Sequence, residues 1–150
     1  MISPPKFHRQ WTTGARLSLL LTSYRGLDGV MIIGTPGGTM VIAAAIAETL
    51  DIPLDMVQPA LLEKHPSLAL PELYDRIVLL TVSAHPDPLK TLTLLELVRS
   101  QGPRGVILVS PRLSEEDASA YRGLTDDIVT LIDEAEQMAL RVMRDQLYIH

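Results

Sequence analysis

Two short segments contain residue types that could bind a ligand, and "TPGGT" at residues 35–39 is the first. It joins a short apolar run to an alanine-rich stretch. A glycine loop that leads from a strand into a helix can present backbone N–H groups to an anion at the helix N-terminus. The same loop also fits a tight turn that needs only the backbone freedom of glycine. The candidate ligands here are Thr35, Gly37, Gly38 and Thr39.

The second segment is "VSAHPDPLK", residues 82–90, with four more candidates: Ser83, His85, Asp87 and Lys90. A serine, a histidine and an aspartate suggest a hydrolytic triad or a metal site. However, a spacing of two residues in a proline-rich loop does not fix triad geometry, and no "GxSxG" motif is present. The alternative is that these side chains are polar loop residues that only contact water. We therefore expect no catalytic residue and no metal ligand here, only possible contacts to a small phosphorylated molecule.

Composition narrows the function classes. The chain has 150 residues, of which 47% are hydrophobic, so one domain with a substantial core is expected. Its net charge of -5, from 18 acidic and 13 basic residues, argues against a nucleic-acid partner. The absence of cysteine excludes disulfides and thiolate chemistry. No signal-peptide pattern opens the sequence and its apolar runs are too short to cross a bilayer, so a cytoplasmic protein without a membrane partner is expected.

Apolar runs alternate with helical patterns along the chain. This alternation predicts a single three-layer α/β/α domain around a mostly parallel five-stranded sheet. Residues 1–10 are expected to form an N-terminal arm and residues 11–150 the domain. Thr39 and Ser114 are the predicted N-caps of two helices. Strands are expected at 29–34, 53–62, 76–82, 105–110 and 126–132, with helices at 11–24, 39–50, 87–103, 114–124 and 133–149.

The order of elements and two loops resemble the type I phosphoribosyltransferases. "FHRQWTTGARLSLLL" is similar to that family's leading helix, "VMIIGTPGGTMVIAAAIAETLDIPLDMV" to its pyrophosphate-loop unit, and "RIVLLTV" through "GVILVSP" to its central unit. The resemblance implies that the central loop should carry two acidic residues that hold the ribose diol of phosphoribosyl pyrophosphate. A Thr-Gly-rich cradle for the 5′-phosphate should follow them.

This sequence departs from that pattern in three places. The acidic pair falls on Val82 and Ser83, and the cradle falls on residues 87–90, which include a proline and an aspartate. The pyrophosphate loop keeps Gly37 and Gly38, but Pro36 replaces its usual basic residue. Only residues 63–75 occupy the place of the family's flexible loop and hood. A catalytically inactive descendant is therefore favoured over a working transferase.

The resulting expectation is a phosphoribosyltransferase-like protein without a cofactor that acts as an interaction, assembly or regulatory module. A protein partner and a homodimer are expected, because a domain without a hood leaves one face uncovered. The alternative is an enzyme or sensor that binds a small phosphorylated metabolite at the loops after the strands. Met138, Val142, Met143 and Leu147 of the last helix are expected to be core residues.

Overall fold

A single five-stranded parallel sheet forms the centre of the molecule. The computed structural model describes residues 4–35, 38–58, 61, 64–65, 68–84 and 86–131. The strands are β1 (Val30–Gly34), β2 (Leu54–Met56), β3 (Ile77–Thr81), β4 (Gly105–Ser110) and β5 (Asp127–Thr130). They follow the spatial order β2-β1-β3-β4-β5, and each neighbouring pair is parallel. The predicted mostly parallel sheet is confirmed.

Four helices flank this sheet in the described part of the chain. They are α1 (Pro4–Leu20), α2 (Gly38–Leu50), α3 (Pro88–Ser100) and α4 (Glu115–Tyr121). Short 3-10 turns follow α1 at Thr22–Tyr24 and α4 at Arg122–Leu124. None of these helices is long and apolar enough to cross a membrane.

Side chains that alternate along the central strands supply two separate cores. On one face, Ile32, Leu79 and Ile107 pack with α1 and α2. On the other face, Ile33, Leu80 and Leu108 pack with α3 and α4. Because these strands are buried on both faces, they appear in the sequence as continuous apolar runs rather than as alternating patterns. The predicted α/β/α layering is confirmed.

Helix α1 crosses α2 at unusually close range. A Cβ atom on Gly14 would lie 2.6 Å from the Cβ of Ala45 and 2.7 Å from the carbonyl oxygen of Ile42. One turn later the buried Ser18 hydroxyl donates back to the Gly14 carbonyl oxygen at 2.9 Å, so it needs no partner on α2. Helix α2 is thereby enclosed between α1 and the sheet, which explains its alanine-rich sequence.

Several predicted element boundaries differ from the structure, and three of the differences, in α1, β2 and α2, are corrected with a physical reason. Helix α1 begins at Pro4 rather than at Trp11, so residues 4–10 of the predicted arm are helical. Proline is tolerated in a first helical turn because the N–H it lacks has no partner there. The rings of Phe7 and Trp11 also stack in these turns, with centroids 5.9 Å apart. The helix predicted at 133–149 lies outside the described residues.

The other two corrections concern β2 and the start of α2. Strand β2 covers three residues, not the ten predicted at 53–62. The predicted range contains two prolines, which cannot donate ladder hydrogen bonds. Thr39 does not cap α2, because the helix begins one residue earlier at Gly38. Ser114 does cap α4 as predicted, since its hydroxyl accepts a hydrogen bond from the Asp117 N–H at 3.1 Å.

Candidate functional site

The strand order defines one switch point in the sheet. Strand β1 lies between β2 and β3, so the connections that leave β1 and β3 run in opposite directions. Ligands of open parallel sheets bind in the crevice beyond the carboxyl ends of the strands at such a point. The loops after β1 and β3 flank this crevice, and together with the first turns of α2 and α3 they contain all eight candidate ligands named from the sequence. Two of those residues, Gly37 and His85, lie outside the described residues.

In the loop after β1, the two threonine hydroxyl groups are hydrogen-bonded within the loop itself. The Thr39 hydroxyl donates to the Thr35 carbonyl oxygen, and the two hydroxyl oxygens lie 2.7 Å apart. If Thr39 gives its proton to the carbonyl, Thr35 must donate to Thr39, so neither hydroxyl proton remains for a ligand. Thr39 is also buried. What this loop offers an anion is therefore the N-terminus of α2, which begins at Gly38.

Gly34 allows α2 to approach the sheet closely beside this loop. A Cβ at Gly34 would lie 2.5 Å from the sulfur of Met40 and 3.1 Å from the Cβ of Ala43. The first turns of α2 therefore rest directly on the end of β1. This contact fixes the position of the helix N-terminus relative to the switch point.

The loop after β3 begins with a buried aliphatic side chain. Val82 is 4% exposed and belongs to the core on the α3 side of the sheet. Its N–H donates to the Val109 carbonyl oxygen at 2.9 Å, which continues the pairing of β3 with β4. The next residue, Ser83, is exposed. Of the two positions where the resemblance places carboxylates, one is thus enclosed by apolar groups and one faces solvent.

Asp87 occupies the N-terminus of α3 itself. It is the N-cap, and its carboxylate accepts a hydrogen bond from the Lys90 N–H at 3.2 Å. Its carbonyl oxygen accepts from the Thr91 N–H at 2.9 Å. Pro88 follows at the first helical position and has no N–H. An incoming phosphate would therefore meet a carboxylate where the family pattern supplies free amides. The Lys90 side chain is exposed in the same turn.

Ser110 ends β4 and leads into the loop after it, at the same carboxyl edge of the sheet. Its role in connecting two of the loops at this edge was not predicted from the sequence. Its side chain is fully buried at the carboxyl end of β4. The hydroxyl lies 2.8 Å from the Ser83 carbonyl oxygen and 2.9 Å from that of Arg112. A serine at the end of an apolar run gives no sequence signal for such a link, because an exposed terminal serine would look the same.

Two buried hydroxyl groups lack hydrogen-bond partners among the described residues: that of Thr81, at the end of β3, and that of Tyr121, at the end of α4. Tyr121 lies in the core below α3. Burial raises the pKa of Tyr121, the Thr91 side chain opposes the rise, and the nearby Asp117 and Asp87 carboxylates add to it.

A groove of about 500 Å³ lies away from the switch point, between α4 and β5. It is lined mainly by polar and charged side chains, including Glu115, Arg122, Asp126 and Asp127. Glu115 pairs with Arg122 at 3.1 Å, and Asp126 pairs with Arg99 at 3.2 Å. No residue of the loops after β1 and β3 lines this groove. Within the described residues, no group of three His, Asp or Glu side chains could hold a metal ion.

Comparisons with known proteins establish the fold. No protein-family model matches the sequence, and no curated protein matches it. Among solved structures, TT1426 from Thermus thermophilus is similar with a TM-score of 0.63 and 17% identity, over 83% of this chain and 84% of that one. The hypoxanthine-guanine phosphoribosyltransferase of L. donovani has a TM-score of 0.54 and 11% identity, over 85% and 83% of the two chains.

A third similar structure is a hypoxanthine-guanine phosphoribosyltransferase from Bacillus anthracis. Its TM-score is 0.54 and its identity 10%, over 85% of this chain and 80% of that one. At these identities the likeness concerns the fold. The order of elements predicted from the sequence and the architecture of these structures agree. This chain therefore has the phosphoribosyltransferase-like α/β fold.

Proposed function

We propose that this protein retains the phosphoribosyltransferase scaffold without the chemistry, and acts as an interaction, assembly or regulatory module. The proposal includes a homodimer as the working form. The fold supports descent from a phosphoribosyltransferase. The two loops at the switch point support the loss of transferase activity.

The observation that carries this proposal is the burial of Val82 in the core. A ribose diol needs acceptors for its two hydroxyl protons, and an aliphatic side chain offers none. Moreover, the Val82 side chain is 4% exposed, so a bound sugar could not reach it without opening the core. Asp87 adds a second obstacle, because its carboxylate already accepts the Lys90 N–H where the 5′-phosphate would need that donor. Both features act against the same ligand.

Isothermal titration of the protein with phosphoribosyl pyrophosphate and Mg²⁺ tests the proposal. We expect no saturable heat at millimolar donor, while a hypoxanthine-guanine phosphoribosyltransferase measured under the same conditions serves as the positive control. Magnesium-dependent binding at micromolar donor would falsify the loss of function. Sedimentation velocity tests the homodimer separately, and a single species of 16.5 kDa would contradict that part.

A rival function is the binding of a different phosphorylated metabolite, by an enzyme or a sensor. The observation that favours it is the α2 N-terminus, which begins at Gly38 beside the switch point and is not capped by Thr39. Thirteen helical residues give this terminus a positive partial charge. Ser83 and Lys90, both exposed across the crevice, could add a hydroxyl and a cation.

A screen of phosphorylated metabolites by thermal shift tests the rival. If the rival holds, one compound raises the melting temperature of the wild type and Gly38→Asp abolishes that shift, because the new carboxylate repels the anion. Gly123→Asp is the matched control, since a Cβ at Gly123 meets nothing within 4 Å. A library without a single hit, or a hit that survives Gly38→Asp unchanged, removes the rival.

A further inference from the structure

The charges of this chain are divided unevenly along its length. Residues 1–27 contain Lys6, Arg9, Arg16 and Arg25 and not one Asp or Glu, whereas the rest of the chain holds all 18 acidic residues. Most of the basic segment is α1. A cationic element on an otherwise anionic protein indicates a surface for an anionic partner.

The cations of α1 differ from three other arginines in their ion pairing within the described part of the chain. Arg99, Arg104 and Arg122 each form an ion pair with a carboxylate of this chain. By contrast, within the described ranges no carboxylate pairs with Lys6, Arg9 or Arg16, and all three are exposed. Among the described residues, these charges therefore form no ion pair, and their exposure leaves them accessible to a partner.

Two of these cations, Arg9 and Arg16, share one side of α1 with exposed leucines. Arg9, Arg16 and Leu20 are seven and four residues apart, a spacing that places them on the same face of a helix. Leu20 is 55% exposed and its neighbour Leu19 is 72% exposed. The buried positions Gly14, Leu17 and Leu21 lie on the opposite side, against α2 and the sheet. We call the set Arg9, Arg16, Leu19 and Leu20 the basic face of α1.

We propose that the basic face of α1 is a docking surface for an acidic segment of a partner protein that carries apolar anchors. This inference rests on the proposed function, since it names the surface through which the interaction module acts. Glutamates or aspartates of the partner would pair with Arg9 and Arg16, and an apolar residue would cover the leucines. Because Leu19 and Leu20 expose apolar surface beside the arginines, this face differs from an ordinary charged surface that only contacts water.

An anionic lipid surface is the less favoured occupant. Electrostatic attachment to lipid needs clusters of about four to eight basic residues, and the basic face has two arginines. The net charge of -5 would also be repelled by an anionic membrane. A short acidic protein segment needs only local complementarity, so the repulsion by the rest of the chain is weaker, since exposed charges are screened over about 10 Å at 0.1 M salt.

The test uses the full chain and a synthetic helical peptide of Glu, Leu and Ala, with leucines along one side and glutamates flanking them. Fluorescence anisotropy should show saturable binding that weakens with added salt, and a matched peptide with Gln in place of Glu should bind at least about tenfold more weakly. Arg9→Glu with Arg16→Glu should abolish binding, and Leu20→Ser should weaken it at every salt concentration. Lys64→Glu, an exposed charge change outside α1, should leave binding unchanged.

Three results would overturn the docking surface: no binding of the Glu peptide, equal binding of both peptides, or undiminished binding to the double arginine variant. Binding to phosphatidylserine vesicles without peptide binding would instead favour the lipid occupant and also overturn it. Circular dichroism must show that the variants fold. The outcome of the titration with phosphoribosyl pyrophosphate does not depend on the outcome of the peptide experiment, because that donor would bind at the strand ends and not on α1. The two experiments therefore test the proposed function and the docking surface separately.

Discussion

The hydroxyl of Ser110 lies 2.8 Å from the carbonyl oxygen of Ser83, so a buried side chain at the end of β4 holds the loop that follows β3. The same hydroxyl reaches the Arg112 carbonyl oxygen, and the Arg112 N–H lies 3.4 Å from it. One serine therefore fixes the relative position of two loops at the carboxyl edge of the sheet.

Replacing Ser110 with alanine tests this link. The substitution removes a buried hydroxyl and the hydrogen bond that it donates at the end of β4, which should lower the free energy of unfolding by about 1–3 kcal/mol. Ser100→Ala is the control, because that exposed hydroxyl donates to the carbonyl oxygen of Leu97 in its own helix. Its effect should stay within about 0.5 kcal/mol. Urea denaturation measures both, and equal effects would show that Ser110 plays no special role.

The close crossing of α1 and α2 predicts that a Gly→Ala substitution at Gly14 destabilises the protein, the opposite of its usual effect in a helix. In a solvent-exposed helix interior, Gly→Ala stabilises by about 1 kcal/mol. Here the added methyl group would meet Ala45 and the backbone of Ile42, neither of which can move aside like a flexible side chain. Gly14→Ala should therefore destabilise the protein by about 1–3 kcal/mol. Thermal unfolding decides the sign, with Gly123→Ala as a control in open space.

Restoring carboxylates at the two positions of the missing acidic pair should give opposite results. Val82→Asp places a charge in the apolar core and should cost more than about 3 kcal/mol or prevent folding. Ser83→Asp faces solvent and should change stability by less than about 0.5 kcal/mol. Chemical denaturation distinguishes the two. A well-folded Val82→Asp variant would show that this position is open to solvent, contrary to its observed burial.

The burial of Tyr121 predicts that the free energy of unfolding decreases at alkaline pH. Burial raises the pKa of its hydroxyl, so the folded-state pKa lies above the unfolded value of about 10. For a group shifted in this direction, the stabilisation is complete below the unfolded pKa and is lost as pH rises through the folded pKa. Tyr121→Phe removes this loss, so its stability relative to the wild type should increase above about pH 10.

At neutral pH the same substitution should be nearly silent. The tyrosine hydroxyl has no hydrogen-bond partner among the described residues, so its removal should change the unfolding free energy by less than about 1 kcal/mol. Denaturant titrations at several pH values measure both effects. A parallel pH dependence for the two proteins would mean that Tyr121 does not ionise in this range.

Patterns that follow from burial were readable in the sequence, whereas details set by tertiary contacts were not. The apolar run of β4 predicted Gly105–Ser110 correctly, because a strand buried on both faces has sharp apolar limits. Nothing in the sequence around Gly14 indicated its contact with Ala45, since that approach depends on how two helices cross. The start of α1 was missed because Pro4 and Pro5 suggest a break and are equally compatible with a first turn.

In the candidate site, too, some features could be predicted from the sequence and others depend on tertiary contacts. The sequence showed which residues replace the family's acidic pair, and the burial of Val82 then gave that replacement a physical meaning. The capping role of Asp87 agrees with its position before Pro88, although its residue type alone predicted only a possible ligand. Ser110 and the Thr35–Thr39 pair depend on chain packing and could not be read from residue types alone.

A crystal of this protein soaked with phosphoribosyl pyrophosphate and Mg²⁺ tests the loss of the donor site most directly. We predict that the crevice between the loops after β1 and β3 shows no bound donor, and that Asp87 still caps α3 through the Lys90 N–H. A donor with its ribose beside Val82 and an ordered cation on its pyrophosphate would contradict the account.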